Sequence, residues 1–164
     1  MQAFAALLDG LIYTRSRDHK VRLIADYLRT TPDPDRGWAL AALAGTLSIS
    51  TVKAAAIRAM AEERFDPMLF RMSRDYVGDT AETVALMWPD VSQAVVAPTV
   101  SEVIDVLSGT SRARAPAVLA ELMDRLDANG RYALLKLATG GMRVGISARL
   151  AKTAFGQALS LIHI

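Results

Sequence analysis

The segment Leu134-Leu135-Lys136-Leu137-Ala138-Thr139-Gly140-Gly141-Met142-Arg143-Val144-Gly145-Ile146-Ser147-Ala148-Arg149-Leu150 is where residue type and spacing come closest to chemistry. It reads as a helix, a glycine turn, a basic tip and the start of another helix. Glycines let backbone N–H groups approach a phosphate closely. Ser147 predicts a helix N-cap, and a helix N-terminus adds unpaired donors and partial positive charge. Arg143 stands at the tip, and Arg149 and Lys152 follow in the next turns. Such a loop can grip a DNA backbone without reading sequence. The same residues also describe an ordinary turn between antiparallel helices with solvated arginines, and the pattern alone leaves both readings open.

Charge distribution sharpens the question. The formal net charge of the 164 residues is only +2, although the pI is about 9.1. Every Asp and Glu lies at or before Asp127, whereas the remainder carries Arg131, Lys136, Arg143, Arg149 and Lys152 and no acid. A nearly neutral chain with a one-signed end still presents a strong local field. Two further basic groups stand out. Arg15, Arg17, Lys20 and Arg22 cluster at a helix start, broken by Asp18, and read more readily as a solvated face than as a second phosphate contact. Arg112 and Arg114 share a polar loop with Ser108, Thr110 and Ser111, whose hydroxyls suit a phosphate.

Other residue types offer less. The absence of Cys removes disulfides, thiolate metal ligands and cysteine nucleophiles, and it fits a reducing, cytoplasmic setting. His19 and His163 are far apart and make no metal site. Met60, Met68, Met72 and Met87 are expected to fill the core. Glu62, Glu63, Asp75 and Asp79 fall near helix ends, where capping and ion pairing account for them. No basic leader or membrane-length apolar run is read, so no membrane partner is expected.

The elements that must position these residues are helical throughout. Phe4, Leu7, Leu8, Leu11 and Ile12 repeat as one buried helix face. Ser16 predicts the cap of a helix whose stripe is Val21, Ile24, Tyr27 and Leu28, broken by the prolines of 31–35. Further helices are expected at Trp38 to Gly45, Thr51 to Glu63, Pro67 to Gly78, and from Asp79 or Thr80 to Trp88. The stretch 89–98 has no stripe and reads as a linker. Thr99 and Glu102 have capping-box spacing ahead of a helix to Leu107. Pro116 to Leu126 reads as a helix ended by Asn129-Gly130, and Tyr132 to Leu137 starts the next. Val95 to Val100 is β-prone but has no partner strand. The expected fold is all-α, an irregular multi-helix domain of two packed lobes, about 1–88 and 99–158, joined by the linker 89–98.

Leu-Leu-Lys-Leu-x-Thr-Gly-Gly-Met-Arg-Val-Gly-Ile-Ser resembles the closing motif of the N-terminal domain of ATP-dependent DNA ligases. Ser73 to Leu86, with Gly78-Asp79, resembles the same domain's earlier Gly-Asp motif, and the opening Met1 to Asp9 with Tyr13-Thr14 is similar to bacterial repair ligases of this group. The resemblance covers about residues 1–158. It implies an all-helical DNA-binding domain that lies across the minor groove of nicked double-stranded DNA, serving DNA repair, recombination or replication in a bacterial cytoplasm. It carries Gly140, Gly141, Arg143, Gly145 and Ser147 over as backbone-contacting residues, with Lys136, Arg149 and Lys152 as further candidates; Arg112 and Arg114 join the expected DNA-binding residues on the chemistry of their loop alone. It also implies a monomer whose partners are the enzyme's own adenylation and OB-fold domains. ATP and Mg2+ would serve that full-length enzyme, with no cofactor in this stretch. The family's adenylation lysine sits in Lys-x-Asp-Gly. The only Asp-Gly here is Asp9-Gly10, and Leu7 stands where that lysine belongs. The chain by itself is therefore expected to be inactive, with no catalytic residue and no metal site.

Residues 159–164, Leu-Ser-Leu-Ile-His-Ile, read as a non-native tail translated from a transposon end. Two other functional classes stay open. A helical protein-interaction scaffold would expose an apolar groove, and a helix-turn-helix regulator would show sequence preference and dimerisation.

Overall fold

Local chemistry sets where the helices begin. The structure, a computed structural model, describes residues 1–91, 95–142 and 144–160; among them lie ten α-helices and no strand. After α1 (Gln2–Tyr13) the chain turns into α2 (Arg17–Thr30), capped by the Ser16 hydroxyl, which accepts from the His19 N–H. The proline segment separates α2 from α3 (Asp35–Leu43). α4 (Ala54–Arg64) leads to α5 (Pro67–Val77), whose cap Asp66 accepts from the Leu69 N–H at 2.9 Å. Gly78, with φ 83°, closes α5, and Asp79 caps α6 (Thr80–Met87). The Gly78-Asp79 pair is thus a helix junction, glycine supplying the left-handed stop and aspartate the next start. Then come α7 (Val100–Ser108), α8 (Ala115–Met123), α9 (Ala128–Thr139) and α10 (Ala148–Ser160). No helix among the described residues is long and apolar enough to cross a membrane.

The helices after the 89–98 connection pack back on those before it. α10 lies along α2 in the most extensive helix pair, while α9 is sandwiched between α1 and α6, and α8 rests on α4. The reason is in α9, which buries Ala133, Leu134, Leu135, Leu137 and Ala138. A helix apolar on more than one side needs partners on more than one side. The stretches 1–88 and 99–158 therefore share one continuous apolar core rather than closing two of their own. The buried residues of α10, which packs chiefly on α2, are Leu150, Ala151, Ala154 and Ala158. Small side chains there let the two helices approach closely.

Several elements depart from the sequence expectation. α4 starts at Ala54 rather than Thr51, because the Thr51 hydroxyl donates to the Leu107 carbonyl at 2.8 Å instead of capping α4. Asn129-Gly130 does not end α8. Asp127 caps α9 through the Gly130 N–H at 2.8 Å, so both residues sit in the first turn of α9. The Thr99 hydroxyl accepts from the Glu102 N–H, but the Glu102 carboxylate binds the Arg125 guanidinium at 2.6 Å. The α7 N-terminus is instead completed by Asp35, which accepts from the N–H groups of Val100 and Ser101. Ile12 is exposed. Of the four methionines expected in the core, Met60 is buried and Met87 packs against the core, but Met68 and Met72 are more than 60% exposed. Helix α5 lies at the edge and buries only Phe70.

Candidate nucleic-acid interface

Two consecutive glycines end α9. Gly140 is left-handed at φ 70°, its N–H donates to the Leu137 carbonyl at 3.4 Å, and the Gly141 N–H donates to the Lys136 carbonyl at 3.1 Å. This is a Schellman closure, in which two backbone donors satisfy the last carbonyls of a helix. The helix end engages both amide donors that were expected to face phosphate. The two glycines set the direction in which the chain leaves α9.

The chain then turns under α2. Val144 is buried, and its carbonyl accepts from Lys20 Nζ at 2.7 Å, across 124 residues of sequence. Gly145 follows with φ 66°; a side-chain carbon there would stand 2.7 Å from Lys20 Nζ. The positive φ favours glycine here, and a side chain would in addition make the end of Lys20 shift from the Val144 carbonyl. Ser147 caps α10 by accepting from the Leu150 N–H at 3.1 Å. Arg15 from the α1–α2 turn, and Arg17 and Lys20 from the first turn of α2, meet Gly145, Ser147 and Leu150 around an open cavity of about 280 Å³ whose lining, among the described residues, contains no carboxylate. Arg17 and Ser147 place the N-terminal turns of α2 and α10 at its border, and such turns carry unpaired backbone donors.

The remaining expected site residues fall into three groups. Arg149 and Lys152 lie exposed on the first two turns of α10. Among the described residues neither they nor Arg15, Arg17, Lys20 or Arg22 have a carboxylate within 4 Å. Lys136 differs, because its Nζ pairs with Asp79 at 2.6 Å and stands 5.3 Å from the Tyr132 ring centroid. This pair lines a second cavity behind the glycine turn. Burial pushes the Asp79 carboxyl up, but Lys136 and the Glu82 and Ala81 N–H groups outweigh it and hold the group below its ordinary range. The charge of Lys136 is thus matched by a partly exposed carboxylate, unlike that of Arg149 or Lys152. Arg112 and Arg114 are exposed ahead of α8, and neither lines a cavity that the glycine turn borders. Arg143 lies outside the described residues.

Arg131 completes the acid-free stretch but faces inward. Its side chain is 3% exposed, its guanidinium donates to the carbonyls of Met123, Trp88 and Pro89, and Asp90 lies 3.0 Å away. It ties the 88–90 connection to the α8–α9 junction. Trp88 is held further by Arg64 over its ring and by its Nε1, which donates to Asp124 at 2.8 Å.

The residues at Asp9-Gly10 do not fit the adenylation lysine of a ligase. The pair lies inside α1, and Leu7 is buried in the core. No nucleotide-accepting step is therefore assigned to these residues.

The sequence reading missed that the Arg15 to Lys20 cluster and the Gly145 to Ser147 turn are one place. The only signal was two serine caps, each beside arginines, on separate helix starts. Pairing them needs the α2–α10 contact, which periodicity does not specify. Compared with known proteins, the chain matches no family model, and no curated protein matches it.

Proposed function

We propose that this chain grips the sugar–phosphate backbone of nicked duplex DNA without sequence preference, as the helical DNA-binding portion of an ATP-dependent DNA ligase. The observation that carries the reading is the cavity, free of carboxylates among the described residues, where Arg15, Arg17 and Lys20 meet the start of α10, with Arg149 and Lys152 exposed on the same helix. Arginine forks and helix N-termini bind phosphate oxygens whatever the base. The ligase assignment draws on a second fact. The two segments that resemble ligase motifs, Ser73 to Leu86 and Leu134 to Leu150, meet through the Asp79–Lys136 pair. On this reading Gly145 and Ser147 shape the phosphate contact, Gly140 and Gly141 aim it, and the adenylation chemistry with ATP and Mg2+ belongs to a further domain of the parent enzyme.

Gel shifts with nicked and intact duplexes of unrelated sequence test this. Comparable shifts across sequences, weakened by salt, support it; no shift, or a strong preference for one sequence, sinks it.

One observation favours a second reading, a helical protein-interaction scaffold. Met68, Met72 and Tyr76 repeat at four-residue spacing on α5 and are 61%, 64% and 93% exposed, beside exposed Leu69 and Leu86. Contiguous exposed apolar surface of this kind marks interaction sites. A protein without a DNA shift would move the reading to this face.

A further inference from the structure

We propose that the exposed face of α5 pairs with the same face of a second copy of this chain, the two helices running antiparallel about a two-fold axis near Met72 and Ser73. Met68, Met72 and Tyr76 form one row at four-residue spacing and are 61%, 64% and 93% exposed. Side chains four apart are neighbours on a helix surface, so the row is a continuous ridge. Leu69 stands beside it, and Leu86 of α6 faces it across a shallow gap of about 390 Å³ that Met72 and Tyr76 also line. Within its own chain α5 buries only Phe70. Methionine suits a surface that must fit another, because its unbranched thioether adapts to what it meets.

Charge names the occupant. Arg71 and Asp75 form the adjoining row of α5, again four residues apart, and both are exposed. Neither has an oppositely charged group within 4 Å among the described residues. Arg74 differs, since its Nε donates to the Thr80 hydroxyl at 2.8 Å. A two-fold axis lying in the interface, perpendicular to α5, reverses the helix and keeps the charged row on one edge. Each Arg71 then stands opposite the partner's Asp75. A parallel pairing puts the two charged rows on opposite edges, where neither meets the other. Such self-complementarity is what an interface between identical patches requires. The face of one 11-residue helix with Leu86 falls short of the roughly 800 Å² per partner of a standard interface, so the dimer is weak and forms at micromolar concentration. The family resemblance implies a monomer; the DNA-binding reading neither needs this contact nor excludes it.

Sedimentation velocity on the full chain, from about 1 µM to about 1 mM, the range of weak contacts, tests the proposal. The expected result is a reversible approach to twice the 17.7 kDa chain mass. Arg71→Asp and Asp75→Arg should each weaken association at least about tenfold, because like charges then face each other. Mixed in equal amounts, these two variants should form a dimer tighter than either forms alone, since every facing pair is again opposite in sign. Met72→Glu sets two carboxylates at the axis and should leave the monomer. All three positions are exposed, and thermal melts check that each variant folds; the charge-reversal mixture makes the test without Met72→Glu. A monomer throughout the range overturns the proposal, as does a dimer that these substitutions leave intact. Single variants that stay monomeric when mixed, or growth beyond two copies, overturn the antiparallel two-fold pairing. None of these outcomes bears on DNA binding, which the gel shifts measure separately.

Discussion

Lys20 Nζ donates to the Val144 carbonyl oxygen at 2.7 Å, and this bond joins the first two helices to the glycine turn before the last one. A partly buried hydrogen bond with a charged donor contributes about 1.5–3 kcal/mol. Lys20→Met keeps most of the apolar stem and removes the donor. It is expected to destabilise the fold by about 1–2 kcal/mol and to speed amide exchange across 144–150. Denaturant melts and hydrogen exchange check both; unchanged exchange there means that the bond does not hold the turn.

Gly140 and Gly145 both have positive φ, but only Gly145 faces a neighbour. Gly140→Ala is expected to cost about 1 kcal/mol from backbone conformation alone. Gly145→Ala adds displacement of Lys20 and should cost about 1 kcal/mol more, the scale of the lost hydrogen bond. In a Lys20→Met background that excess should vanish, which a double-mutant cycle measures. Additive effects would contradict the stated contact.

The Asp79–Lys136 pair makes a pH prediction. Asp79 is held below its ordinary pKa of 3.8 in the folded chain. A group depressed in this way contributes stability above its unfolded pKa and loses it as pH falls through the folded value. Stability should therefore decline with acid from near pH 3.8 downward, and Lys136→Met should shrink that decline. Because the carboxylate is partly exposed, the loss at neutral pH should be about 1 kcal/mol or less. Binding to DNA should barely change, since this lysine's charge is already matched. Affinity falling as far as in R149A/K152A would return Lys136 to the interface.

Arg131 and Arg149 separate the two roles of cations in the acid-free stretch. Arg131→Ala leaves three carbonyls without their donor in a buried site and is expected to cost about 3 kcal/mol or more. Arg149→Ala, on the surface, should change stability by about 0.5 kcal/mol or less and lower DNA affinity. Chemical denaturation and anisotropy on the same pair of variants decide this; the opposite ranking would mean that burial has been assigned to the wrong arginine.

Much of the helix order was legible because capping is local. Ser16, Asp66, Asp79 and Ser147 each accept a hydrogen bond from an N–H three residues later, as their positions before apolar stripes imply. Non-local chemistry was not legible. Arg125 takes the carboxylate of Glu102, and Thr51 turns to Leu107. One local cap was missed as well, because Asn129-Gly130 reads as a helix stop while Asp127 makes it the first turn of α9. In the candidate site the turn at 139–147 was readable from its glycines. That Arg131 and Lys136 find acids from earlier in the chain was not, because a one-signed sequence segment does not stay one-signed once Asp90 and Asp79 fold onto it. Arg15 and Arg17, which have no carboxylate within 4 Å among the described residues, came from a cluster that the sequence placed on a solvated face.

The salt dependence of binding to nicked duplex is the most direct measurement. With about four phosphates engaged, log K should fall against log salt with a slope near −3.6, from roughly −0.9 per phosphate. R15A/R17A should flatten that slope by about two phosphate equivalents, to near −1.8. A salt-independent affinity, or a slope that R15A/R17A leaves untouched, would contradict the assignment of the α2–α10 cavity to the DNA backbone.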